Sequence, residues 1–146
     1  MSEKIKVKNV RLKRAYDRPT AADGTRILID RLWPHGVKKA DADIDQWLKD
    51  IAPTTALRKW FGHDPARWRK FCRRYAVEVR AHPEQLSLLR GLARRGRITL
   101  VYSARDEVHN DAVALKAFLL GRPATERPKT ASLVAYRLRK RSGHAN

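Results

Sequence analysis

The stretch RILIDRLWPHG, Arg26–Gly36, decides how the chain folds. It opens as a strand: Ile27, Leu28 and Ile29 form a short apolar run behind the turn signal Asp23-Gly24. It then changes character. Asp30 and Arg31 place opposite charges at the strand's end, and Trp33, Pro34, His35 and Gly36 follow. An aromatic ring, a rigid turn residue, a titratable ring and a glycine make a shaped loop. In an α/β sheet, ligands bind just beyond the carboxyl ends of the strands, so this loop marks where a site is expected.

Toward the amino terminus, Ile5–Leu12 alternates, with Ile5 and Val7 on one face and Lys4, Lys6 and Lys8 on the other. That is a strand with one wet face, near a sheet edge. Toward the carboxyl terminus, Asp41–Ile51 reads as a helix, because Ile44, Trp47, Leu48 and Ile51 recur at helical spacing. Thr54 caps a short helix reaching Trp60, which Gly62 ends. Asp64 and Pro65 open a longer helix running to about Ala81, with an apolar stripe of Trp68, Phe71, Cys72, Tyr75 and Val79. Pro83 starts another, burying Leu86, Leu89, Leu92 and Ala93, with Gly96 as its cap. Arg97–Tyr102 is a strand too uniformly apolar for an edge, so its place is central. A last helix is expected from Glu107 to Leu120, which would put His109 in its first turn. Long crossovers between strands favour parallel pairing.

The fold class that follows is α/β: a single compact domain, residues 1–121, with a small mainly parallel sheet flanked by helices. A basic, mobile C-terminal tail, residues 122–146, is expected after it. A chain of 146 residues with 42% hydrophobic content suffices for one core. No apolar run is long enough to span a membrane, and the MSEKIKVKNV start has no signal-peptide core, so a cytoplasmic protein is expected. One cysteine, Cys72, excludes an internal disulfide framework and sits on a core stripe. The 33 Lys and Arg outweigh 15 Asp and Glu, giving a net charge of +18 that favours polyanions or phosphorylated ligands.

Parallel strands would gather three loops at one end of the sheet. Candidates for proton handling there are Asp30, His35, His63 and His109. Candidates for ligand binding are Arg14, Tyr16, Arg31, Trp33, Ser103, Arg105, Asp106 and Asn110. Each has a structural alternative: an Asp30–Arg31 ion pair, Trp33 as a plug under its loop, Asp64 and Asp106 as helix caps. Ser103 lacks the glycines of a nucleophile elbow, which argues against a serine hydrolase. The glycines are isolated, so no phosphate-cradling loop and no nucleotide cofactor is expected; no metal site is expected either.

Three ordered motifs carry a family resemblance: DGTRILIDRLWPHGVKKA (Asp23–Ala40), WLKDIAPTTALRKWFGHDPARWRKF (Trp47–Phe71) and LVYSARDEVHNDAVALKAFL (Leu100–Leu119). From Val7 to Leu120 the chain resembles the YeaO-like family, a bacterial and archaeal domain of unknown function. The resemblance implies a small cytosolic α/β domain and brings no established reaction. Members usually carry Arg where this chain has His35, so an anion bound there would meet an imidazole instead. The tail after Gly121 lies outside the resemblance.

Two functions are compatible with these residues. One is an enzyme or ligand-binding domain for a small anionic molecule, oriented by Arg14, Arg31 and Arg105. The other is a nucleic-acid accessory protein that holds phosphates through the basic helix face (Arg67, Lys70, Arg74) and the tail (Arg139, Lys140, Arg141). Few aromatics interleave with that basic face, so base stacking is not expected.

Overall fold

Ile27, Leu28 and Ile29 are fully buried, as the apolar run requires. The computed structural model describes residues 4–123. In it, strands β1 (Val10–Arg14), β2 (Thr25–Leu28), β3 (Gln46–Trp47) and β4 (Ile98–Tyr102) form one parallel sheet in the order β1-β4-β2-β3. Every residue of β4 is buried, and β1 is an edge strand, both as the sequence indicated. The helices are α1 (Lys39–Ala42), α2 (Thr55–Phe61), α3 (Trp68–Arg80), α4 (Pro83–Arg95) and α5 (Asp111–Leu119). The protein is thus a single α/β domain. The tail proposed for residues 122–146 lies almost wholly outside the described residues.

Pleating divides the sheet into two faces. Val10, Ile27, Ile29, Ile98, Leu100 and Tyr102 join the main core with Trp68, Phe71, Tyr75 and Val79 of α3 and with residues of α2, α4 and α5. The other face carries a smaller cluster of Ala15, Leu28 and Val101, covered by Trp33, Ile44 and Trp47. It also carries a buried polar network. Arg26, 2% exposed, pairs with Asp23 at 2.7 Å and donates to the carbonyls of Ala42 and Asp43. Asp23 also receives Lys13 and the backbone and hydroxyl of Thr20. Gly24 beside it has no room for a side chain: a Cβ would lie 2.2 Å from the carbonyl oxygen of Arg97.

Three expected boundaries differ. The helix expected over Asp41–Ile51 is instead α1, the two-residue strand β3 and a 3-10 turn, Lys49–Ile51. The Arg26 guanidinium holds the carbonyls at the end of α1, and Asp43 leaves it in the left-handed region, φ 51°. The chain then pairs with the open edge of β2: Asp45 exchanges hydrogen bonds with Arg26, and Leu48 donates to Leu28. Edge pairing there outweighs the helical apolar spacing. The first strand starts later than expected, because Val7–Asn9 forms a 3-10 turn and Val7 is exposed. The last helix begins at Asp111, since Asn110 caps it by accepting from Val113 N–H. His109 therefore belongs to the preceding loop.

Burial pushes the Asp23 carboxyl up, but bonds from the Thr20 N–H, Lys13, the Thr20 hydroxyl and Arg26 outweigh that and hold it at about 2. A depressed carboxyl stabilises the fold above its unfolded value and loses that contribution as pH falls toward 2. Asp23→Asn is expected to cost about 3 kcal/mol at pH 7, because it leaves the Arg26 charge buried and uncompensated. Urea denaturation across pH should show that gap narrowing between about pH 4 and pH 2.

Candidate functional site

The carboxyl ends of β1, β2 and β4 open into a cavity of about 630 Å³. The loop after β2 contributes Asp30, Arg31, Leu32, Trp33, Pro34 and His35, and the loop after β4 contributes Ser103, Arg105, Asp106, His109 and Asn110. Tyr16 comes from beyond β1, and His63 from the turn after α2. Of the twelve residues expected at the site, eleven line this one cavity. Arg14 does not: its guanidinium donates to the carbonyls of Ala104 and Ser103 and stacks on Tyr16, so it shapes the loop after β4.

The side chains are held in place by short networks. Asp30 accepts from Ser103 twice, from N–H at 2.9 Å and from the hydroxyl at 2.7 Å. Arg31 turns away from Asp30 and donates to the Ala52 carbonyl, while its Nε is buried without a partner. Trp33 donates to the Val37 carbonyl and packs edge-on against Trp47, so it both plugs the loop and lines the cavity. The exposed His35 offers its carbonyl to the Tyr16 hydroxyl. His63 has a left-handed backbone, φ 56°, which costs an L-residue about 1 kcal/mol.

Asp106 accepts from the N–H groups of Val108 and His109, and its second oxygen lies 2.9 Å from His109 Nδ1. Burial pushes this carboxyl up, but the His109 imidazole and the N–H groups hold it below the ordinary value. With Nδ1–H donated to a carboxylate, Nε2 of neutral His109 is a free-electron-pair acceptor. The ring edge of His109 packs against Trp68. Among the described residues no cluster of three or more His, Cys, Asp and Glu is placed to hold a metal ion.

Sequence reasoning missed Asp111, Arg58 and Phe71, which line the cavity, whereas Phe61 lies in the Trp60–Asp64 turn expected to close over the strand-end loops. Phe61 and Phe71 stack with centroids 4.5 Å apart and form an apolar wall. The Asp111 carboxyl is pushed well up, first by burial, then by the carboxylate of Asp30. The pair Asn110-Asp111, read as a cap followed by a first-turn acid, was the available signal for it.

The nucleic-acid candidates Arg67, Lys70 and Arg74 are exposed along α3 and the turn before it. One aromatic lies beside that face: Arg67 and Arg74 are 5.4 and 4.3 Å from the centroid of Trp60. Arg139, Lys140 and Arg141 lie outside the described residues. Among the described residues no helix is long and apolar enough to cross a membrane.

Fold and site together define a small α/β domain with a polar cavity at the strand ends. A family model, DUF488-N3i, described as the inactive DUF488-N3 subclade, matches residues 9–137. The chain belongs to this family, and the match runs past Leu120 into the segment set apart as a tail. It is 40% identical over 111 residues to the uncharacterized protein YeaO of Escherichia coli K12, covering 76% of this chain and 96% of the relative. It is 37% identical over 118 residues to the uncharacterized protein Rv3073c of Mycobacterium tuberculosis H37Rv, covering 81% and 99%. No solved structure matches the chain.

Two substitutions test the site's internal strain. A carboxyl raised in the folded state costs stability as pH climbs above its unfolded value. Asp111→Asn removes the charge beside Asp30 and keeps an acceptor for Ala112 N–H. It should therefore melt above the wild type at pH 7, with the difference vanishing below about pH 4. His63→Gly should raise stability by about 1 kcal/mol in denaturant titrations, by relieving the backbone at that position.

Proposed function

We propose that this protein is a binding domain without turnover, whose strand-end cavity takes a small anionic ligand. The observation that carries the reading is convergence. Arg31, Arg58 and Arg105, with His35, His63 and His109, come from separate loops to one cavity walled by Phe61, Phe71 and Pro34. Cations gathered from several elements beside an apolar wall suit a ligand that combines negative charge with a small apolar surface.

Binding is favoured over catalysis by how the reactive groups are engaged. A serine relay needs the hydroxyl to donate to the imidazole. Here the Ser103 hydroxyl donates to Asp30, and the imidazole of His109 is bonded to Asp106. The description of the family model as an inactive subclade agrees with that reading. A cytoplasmic setting fits a chain with a single cysteine, which can form no internal disulfide.

A second reading draws on the Trp60 stack. Arg67, Lys70 and Arg74 beside an aromatic ring would suit nucleic-acid phosphates, in line with the net charge of +18.

The test is a heteronuclear NMR titration with inorganic phosphate at low ionic strength. Amide shifts should concentrate at residues 30–36 and 103–111. Arg31→Ala or Arg105→Ala should each weaken binding by about tenfold. Shifts confined to α3, with Arg67→Ala/Lys70→Ala/Arg74→Ala removing about two units of log–log salt slope for a single strand, would favour the second reading instead.

A further inference from the structure

Outside the cavity, α3 turns a strongly basic face to solvent. Trp68, Phe71, Tyr75 and Val79 are buried, so at about 3.6 residues per turn the outward midline runs through Val77, which is 65% exposed. Exposed cations flank that midline on both sides. Lys70 and Arg74 lie toward α2, and Arg73 and Arg80 toward α4 and α5. Glu78, the one acid of α3, accepts from the N–H and hydroxyl of Thr54.

Each row is anchored on an aromatic ring. Arg74, with Arg67 from the turn before α3, lies on Trp60 of α2. Arg80, with Arg90 of α4, lies on Phe118 of α5, at 5.5 and 5.7 Å from its centroid. A ring engages the flat face of a guanidinium and leaves its N–H edge to donate. It also restricts the side chain beforehand, so less freedom is lost on binding. The helix therefore carries two rows of phosphate donors, one along each flank. With its side chains a helix is about 10–12 Å across, and the major groove of B-form DNA is about 12 Å wide. α3 contains no Asn, Gln, Ser or Thr to read base edges, and Trp60 and Phe118 already carry guanidiniums where unpaired bases would stack.

We propose that α3 docks along the major groove of double-stranded DNA, with the Trp60 and Phe118 clusters each holding the phosphates of one strand. This rests on the second reading above: it names the duplex as the partner and adds Arg80 and Arg90 to the contact. Charge complementarity selects it, because both flanks of the helix are cationic and both borders of the groove are phosphate. Contact of this kind is independent of sequence and sensitive to salt. A single strand engages one flank at a time, and the major groove of A-form RNA is too narrow to admit the helix.

Fluorescence-anisotropy titrations of the full chain over a range of salt concentrations test this, with a short DNA duplex, its single strand and the RNA duplex of the same sequence. The DNA duplex should bind at least about tenfold more tightly than the other two. Arg80→Gln/Arg90→Gln keeps a stem on Phe118 and should remove about two units of log–log salt slope for the duplex, whereas Arg80→Lys/Arg90→Lys should retain the wild-type slope. Melting curves check that both variants fold. A wild-type slope in the glutamine pair, beside a reduced one in Arg67→Ala/Lys70→Ala/Arg74→Ala, overturns the inference and leaves the second reading standing. So does a lost slope that the lysine pair does not retain, or a single strand or RNA duplex bound as tightly as the DNA. If no variant changes the slope, or no nucleic acid binds, the inference and the second reading fall together.

Discussion

The buried guanidinium of Arg26 is the constraint on which the rest of the structure depends. A charge 2% exposed has to be matched at its donors, and this one is matched by Asp23 and by two carbonyls at the end of α1. Asp23 in turn collects Lys13 from β1 and Thr20 from the connection to β2, while its carbonyl accepts from the Thr99 hydroxyl of β4. Three strands and the covering segment are thereby tied at the amino-terminal end of the sheet. Because Arg26 fixes residues 42–45, the chain between β2 and β3 must arch over the second face, and that arch is the loop from Asp30 to Gly36. The network ties one end of the sheet, and the cavity opens at the other.

The cavity at the strand ends follows from topology. β2 and β4 are neighbours, yet the chain leaves them in opposite directions: from β2 toward β3, and from β4 into α5, which packs on β4 and β1. A crevice opens where such connections diverge. Both loops bordering it are polar. The main core closes it from below with Phe61 and Phe71, which belong equally to the cavity wall and the hydrophobic cluster. A ligand there would contact the packed core, so binding and global stability are coupled at those rings.

Much of this was legible in the sequence because the signals were local. The apolar run Ile27–Ile29, the caps Thr54 and Asp64, and the stripe Trp68–Val79 each act within a few residues. The failures were long-range. Ile44, Trp47 and Ile51 have helical spacing, but their backbone is claimed by the edge of β2 and by a guanidinium from a strand some sixteen residues earlier. The site was legible in the same degree: strand-end loops could be named from order alone, whereas Arg58 and Phe71 sit on α2 and α3 and reach the cavity only through helix packing. Asp111 was hidden differently. It has the position of an ordinary first-turn acid, and only the approach of Asp30 makes it exceptional.

That approach bears on why a cavity with a serine, histidines and several carboxyl groups reads as a binding site. Nucleophilic catalysis by a serine needs one chain of hydrogen bonds ending on its hydroxyl. The chains here are separate: Ser103 to Asp30, and His109 to Asp106. Asp30 takes the hydroxyl proton that a serine relay would direct to an imidazole. What the arrangement does supply is fixed donors and acceptors with their orientations locked by backbone contacts. Such preorganisation lowers the ordering cost of holding a ligand and needs no change of covalent bonding to be useful.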